Sequence, residues 1–200
     1  MTTFTTDWFS YAINNFKTSK QILNNNVNSI LEIGVYQGRS TCWQLENMLT
    51  DTGTITCVDP FIDYELYGME IDPLPTKTSE ELKREQLFRD NVAEVKKSTQ
   101  TVDIRVGRSF SVLADLITEK KTFDFIYVDG NHASHTTLAD GVMCFGMLRP
   151  GGIMLFDDYL WDHEADHMLR PKTSVDAFCN QYRKYLEFVF INYQLAIIKK

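Results

Sequence analysis

The chain has 200 residues, 44% of them apolar, a formal net charge of −7 and a pI near 5.1. That length and apolar content suit one domain spanning 1–200 with a sizeable core. The acid excess gives no general attraction to nucleic acid or an anionic membrane, and no apolar run nears the ~20 residues that span a bilayer.

Residues 6–24 read as a helix, with apolar side chains at 8, 9, 12, 13, 16 and 22–23, ended by Asn24-Asn25-Asn26. This N-terminal helical segment, within 1–25, is expected to pack near the site. A strand over 29–34, a helix over 39–49 and a strand over 54–59 follow. Pro60, Pro73 and Pro75 argue for a polar loop over 60–78. Next come helix 79–97, strand 102–106, helix 110–118, strand 123–128, helix 133–147 and strand 152–157. A loop to about 171 leads to helix 173–184 and strands 186–191 and 193–199. Strand–helix alternation implies an α/β fold with a mostly parallel sheet covered on both faces. The last two strands are joined by so few residues that they must be antiparallel. The start of the chain lacks the basic and apolar stretches of a signal peptide. Cys42, Cys57, Cys144 and Cys179 form no C-x-x-C pair and fall in apolar segments. A reduced, cytoplasmic protein is the expectation.

The most informative stretch is Ile30-Leu31-Glu32-Ile33-Gly34-Val35-Tyr36-Gln37-Gly38-Arg39-Ser40. A strand ends in Glu32, two glycines follow at G-x-x-x-G, and a helix begins. Glycine lets backbone approach a ligand closely. The spacing is not the dinucleotide G-x-G-x-x-G, and a tight turn without a ligand would use the same residues. Asp59 ends the next strand about twenty residues later, where an acid accepts from ribose hydroxyls. It points to a nucleoside-bearing cofactor without separating one such cofactor from another. Asp129, Asp157 and Asp158 exit neighbouring strands at the carboxyl edge, where open α/β sheets bind ligands. At ~4 Å and an effective dielectric of ~20, each like-charged pair costs about 4 kcal/mol. Either protons or a cation must offset that, unless the Asp157-Asp158 pair caps its loop and faces solvent. Oxygen ligands suit Mg²⁺, Mn²⁺ or Ca²⁺ rather than zinc.

The first of these motifs resembles E-x-G-x-x-x-G of class I S-adenosylmethionine (SAM) methyltransferases. A seven-stranded sheet with one antiparallel strand near its end is the Rossmann-like fold of that class. Glu32-x-Gly34-x-Tyr36-x-Gly38-x-Ser40 is similar to the catechol O-methyltransferase motif. Asp157-Asp158-Tyr159 and the ending Asn192-Tyr193-Gln194-Leu195 look more like macrocin-type sugar O-methyltransferases. Asp158 stands where catechol and caffeoyl-CoA enzymes carry Asn. The resemblance implies SAM held by Glu32, Gly34, Tyr36, Gly38, Ser40, Asp59 and Asp129. It implies a cation on Asp129, Asp157 and Asp158. His132, three residues after Asp129, would take the proton of a small-molecule hydroxyl, with His135 its rival. Phe61 is a candidate to stack on adenine, and Ser109, after Gly107-Arg108, to touch it. Core packing and helix capping explain Phe61 and Ser109 equally well. Segments 60–78 and 159–171 match no acceptor pocket of the family, and a homo-oligomer is left open. A SAM-binding regulatory protein and an NAD-dependent oxidoreductase are the alternatives. The intact acid and His set speaks against the first, and the missing G-x-G-x-x-G against the second.

His163-Glu164-Ala165-Asp166-His167 spells the zinc-protease pattern H-E-x-x-H. That chemistry needs both imidazoles on one face of a stable helix. Asp162, Asp166 and the nearby Pro171 argue instead for a rim segment beside the acceptor. Trp8, Trp43 and Trp161 read as core or pocket wall.

Overall fold

The computed structural model describes residues 2–63 and 74–200. A 3₁₀ turn (Ser10–Ala12) and α1 (Ile13–Ile22) lead into β1 (Val27–Ile33), α2 (Arg39–Asn47) and β2 (Leu49–Asp59). Then come α3 (Ser79–Val95), β3 (Thr101–Val106), α4 (Ser109–Thr118), β4 (Phe123–Val128), α5 (Ser134–Met147) and β5 (Leu148–Phe156). A 3₁₀ turn (His167–Leu169), α6 (Pro171–Gln181), β6 (Leu186–Ile191) and β7 (Leu195–Lys199) complete it. The sheet order is β3-β2-β1-β4-β5-β7-β6. β7 runs antiparallel to both β5 and β6, and the other pairs are parallel. This is the expected α/β sandwich.

Alternation along each strand divides the core. Ile30, Ile55, Phe125 and Ile153 meet Phe16 of α1, Leu45 of α2 and Phe88 of α3 on one face. Leu31, Ile126 and Met154 meet Leu113 of α4, Phe145 of α5 and Phe178 of α6 on the other. Both faces are covered, so the strands read as nearly continuous apolar runs.

The first helix starts later than its apolar spacing predicts. The Asp7 carboxylate accepts from the Phe9 and Ser10 amides and the Ser10 hydroxyl, which sets a turn before the helix. Residues 2–9 therefore run along the domain as a strap. Gln37 and Asn91 hold it through the Thr5 amide at 2.8 Å and the Thr3 carbonyl at 2.8 Å. β2 and β5 begin earlier than predicted, each with a register shift in its pairing with a neighbour. Of the predicted loop 60–78, residues 64–73, Pro73 included, lie outside the described residues. Its two ends are joined by Glu81, which accepts from the Asp63 and Thr78 amides, both at 2.6 Å. Thr78 and Glu81 form a capping box on α3. No described helix is long and apolar enough to cross a membrane.

Candidate active site

The turn after β1 is fixed by what lies next to it. The Gly34 amide donates to the Val58 carbonyl, and the Asp129 amide to that of Ile33, both at 2.9 Å. Gly34 has φ +80°, and a Cβ there would overlap the carbonyl oxygen of Asp129. Gly38 has φ +82°, and its Cβ would meet the Phe88 ring at 2.8 Å. These glycines let β1, β4 and α3 close on one another. Gly34→Ala should therefore destabilise the fold by about 2–4 kcal/mol, summing left-handed strain and overpacking. An unchanged urea midpoint would refute that.

Glu32 lies beneath this turn and not on its open side. It is fully buried and accepts from the hydroxyls of Ser40 and Thr41, tying β1 to the first turn of α2. Burial pushes its carboxyl up to about 7, against the pull of those hydroxyls. The ordinary glutamate value there is 4.5, so between 4.5 and 7 the folded chain keeps a proton that the unfolded chain has lost. Its contribution to stability then falls as pH rises through that window. Glu32→Gln should gain melting temperature relative to wild type from pH 4.5 to 7.5. A constant difference would contradict this.

Asp59 does face a cleft, of about 930 Å³, that runs along the carboxyl edge of the sheet. One of its oxygens accepts from the Val35 and Tyr36 amides at 2.8 and 3.0 Å, and the other from the Phe61 amide at 2.6 Å. It thus shapes the glycine turn from across the sheet. Burial raises its carboxyl, against those three amides and Arg84. Phe61 corrects the expectation of an adenine platform. With φ +52° its ring turns inward onto Phe88 at 5.3 Å, and Pro60 and Ile62 face the cleft instead. Tyr36, Ser40 and Ser109 line the cleft. Glu32 and Gly38 do not.

At the other end, β4 and β5 deliver the acids side by side. Val128 pairs with Phe156, so Asp129 and Asp157 leave the sheet as neighbours. Asp129 is raised well above the usual range, first by burial and then by the charges of Asp157 and Asp158. Among the described residues, Asp129, His132 and Asp158 have donor atoms all within 4.8 Å of one another. His132 Nε2 is 3.0 Å from one Asp158 oxygen, and the Tyr193 hydroxyl donates to the other at 2.9 Å. Asp157 is held on both oxygens by protein donors. One oxygen accepts from the Tyr11 hydroxyl at 2.7 Å, the Gln194 amide at 2.9 Å and the Asp158 amide at 2.8 Å. The other accepts from the Tyr127 hydroxyl. Three donors saturate the first oxygen's two lone pairs. That leaves Asp157 at most one open position.

Aromatic side chains wall this end. Trp161 packs on His132 at 4.7 Å between ring centroids, and Trp8 on Tyr36 at 5.0 Å. Trp8, Tyr11, Trp161 and His163 all line the cleft, whereas Trp43 packs on Phe9 and Phe16. His163 sits in a loop and His167 opens a 3₁₀ turn, so no helix face unites them for zinc. The sequence alone did not single out Tyr11, Tyr127 or Arg84. Arg84 lies 5.6 Å from the Tyr36 ring and pairs with Asp63 at 2.8 Å.

Residues 31–159, more than half the chain, match the family model described as a methyltransferase domain. The chain belongs to that family. The sheet order above is the class I arrangement that the sequence resemblance implied. No curated protein sequence matches it significantly. Solved structures share its fold. The O-methyltransferase from Bacillus cereus in complex with S-adenosylhomocysteine (SAH) is 16% identical, with 94% of this chain and 81% of that one aligned at a TM-score of 0.64. TomG from Streptomyces achromogenes, an O-methyltransferase of tomaymycin synthesis in complex with SAM, gives 16%, 94%, 81% and 0.63. The O-methyltransferase NovP gives 18%, 95%, 79% and 0.66.

Proposed function

We propose that this methyltransferase moves the methyl group of SAM to a hydroxyl oxygen of a small acceptor, with a divalent cation in the site. The observation that carries the proposal is the meeting of Asp129, His132 and Asp158 beside the cleft that Asp59 and the glycine turn border. Solved structures of like fold are O-methyltransferases, two of them in complex with SAM or SAH, which supports the same reading.

The residues fit the two absent groups. Asp59 retains one lone pair beyond its three backbone bonds, enough to accept from a ribose hydroxyl. The cleft, near the upper end of small-molecule sites, has room for a cofactor and an acceptor. Mutual repulsion within Asp129, Asp157 and Asp158 is what a hard cation offsets. Asp129 and Asp158 would hold it with oxygen, Asp157 supporting from behind with one position to give. When bound, SAM supplies an electrophilic methyl group and the cation lowers the pKa of a hydroxyl and fixes its place. His132 is placed to receive the hydroxyl proton, and Trp161 holds the imidazole from its side. Trp8, Trp161 and Tyr11 shape a flat, apolar wall for a sugar ring or a catechol-like ring.

A second reading has its own observation. His132 Nε2 belongs to the cluster of possible ligand atoms, so His132 would be a ligand and not the base. Turnover of labelled SAM over a panel of sugars and catechols, with chelator controls, tests the reaction. Asp59→Ala should weaken SAH binding by about 1.5–3 kcal/mol, the scale of hydrogen bonds to a charged group. A wild-type protein that binds no SAH in calorimetry would sink the proposal.

A further inference from the structure

Two tyrosine rings form a corner at the acid end of the cleft. Tyr11 and Tyr193 pack edge to face, their centroids 5.3 Å and their planes 88° apart. Both line the cleft and stay exposed, at 50% and 38%. Their hydroxyls donate to Asp157 at 2.7 Å and to Asp158 at 2.9 Å. A phenol that donates to a carboxylate gains π-electron density on its ring faces. Those bonds also fix the rings before any ligand arrives, which lowers the entropy lost on binding. The field around them is negative. Asp129, Asp157 and Asp158 act on the Tyr11 hydroxyl, and Asp157, Asp158 and the rim residue Asp162 act on that of Tyr193. A divalent cation and a charged His132 together would still leave one of these four acids unopposed. Among the described residues lining the cleft, the only lysines or arginines are Arg39, Arg84 and Arg108. They stand toward the glycine turn and β3. Arg39 donates to the Thr6 carbonyl at 3.1 Å, Arg84 pairs with Asp63 at 2.8 Å, and Arg108 precedes the first turn of α4.

We propose that the corner of Tyr11 and Tyr193 binds an ammonium group of the acceptor, so that the substrate is an amine-bearing ring. The assignment rests on the O-methylation reading above. A cation within about 6 Å of a tyrosine face is drawn to the ring quadrupole, by roughly two- to thirtyfold in affinity as it is desolvated. The carboxylates behind the rings add a field of the same sign. A neutral ring gains neither effect. A phosphate or carboxylate on the acceptor is repelled by both. A second metal ion would need carboxylate oxygens that the two tyrosines already occupy, whereas ring faces suit a weakly hydrated alkylammonium. The acceptor's hydroxyl then goes to the acid cluster and its ammonium to the tyrosine corner. The spacing of those two groups on one ring selects the substrate.

Calorimetry on protein loaded with Mn²⁺ and SAH tests the proposal at neutral pH, where an alkylamine is protonated. Two isosteric sets serve as probes. One is dopamine, 3,4-dihydroxyphenylethanol and 3,4-dihydroxyphenylacetate. The other is methyl 6-amino-6-deoxyglucoside, methyl glucoside and methyl glucuronide. In at least one set the ammonium member should bind wild type about fivefold or more tighter than its neutral twin, with the anion weakest. Tyr11→Leu and Tyr193→Leu should bring that ratio toward unity. Tyr193→Phe keeps the ring without the hydroxyl and should keep most of the ratio. A merely structural tyrosine would shift melting temperature and leave the ratio alone. Tyr193→Ala carries the same readout should the leucine variants not fold. Equal binding of ammonium and neutral members in both sets overturns the proposal, as does a folded leucine or alanine variant with the wild-type ratio. A ratio lost in Tyr193→Phe as well assigns the ammonium to the carboxylates and overturns the part played by the rings. An ammonium probe that drives Mn²⁺ into the free-ion resonance signal overturns it too, because it then occupies the cation's place. A wild type that binds SAH and none of these compounds overturns the ammonium corner alone. A wild type that binds no SAH overturns the O-methylation reading.

Discussion

Removing divalent cations with excess chelator should abolish turnover, and Mg²⁺ or Mn²⁺ should restore it. The expectation follows from the charge on β4 and β5. Asp129 is driven well above the carboxylate range by burial and by Asp157 and Asp158. Asp157 is driven up by burial and by Asp158 despite its ring of donors. Carboxylates packed this way stay ionised at neutral pH when a cation shares their field. Asp129→Asn and Asp158→Ala should each weaken Mn²⁺ binding, read by electron paramagnetic resonance, by more than about tenfold. SAH affinity should stay close to wild type, because Asp59 and the glycine turn lie toward the other end of the cleft. Full activity in excess chelator would rule the cation out.

Replacing His132 by alanine should lower kcat by roughly 10²–10⁴, the usual contribution of a positioned general base. SAH affinity should change little. The geometry gives the imidazole one neighbour on each side, Asp158 at 3.0 Å and the Trp161 ring at 4.7 Å. Its role is settled by a second measurement on the same variant. A base leaves Mn²⁺ affinity near wild type, whereas a ligand takes it down in step with kcat. A loss below tenfold assigns the proton to another group.

The sheet was legible because its strands are buried on both faces. Runs such as Phe125-Ile126-Tyr127-Val128 and Met154-Leu155-Phe156 announce themselves without alternation. The three-residue link before Leu195 set the antiparallel ending. The start of β5 was less legible, because Pro150-Gly151-Gly152 reads as a turn while the strand runs through it with a shifted register. Trp8 and Phe9 match helical spacing, yet Asp7 takes the amides of Phe9 and Ser10 and delays the helix. In the site, the positions of Asp59, Asp129, Asp158 and His132 were legible because Asp59 ends a strand and the others follow one at the carboxyl edge. The surroundings of Asp157 were not. Its donors, Tyr11, Tyr127 and Gln194, come from three segments far apart in sequence. No local pattern signals that convergence. Phe61 was misplaced because its inward turn is a backbone event at a single positive φ.

The hairpin of β6 and β7 has a consequence for the order of assembly. β6 pairs with β7 alone, and β7 lies between it and β5. The short link makes this hairpin a local unit that forms early once synthesised, then docks as a pair. Gln194 and Tyr193 ride at its tip and arrive at Asp157 and Asp158 together. Docking of the hairpin is what brings those two donors onto the acids, so a lesion that loosens β7 should disturb Asp157 and Asp158 before it unfolds the domain.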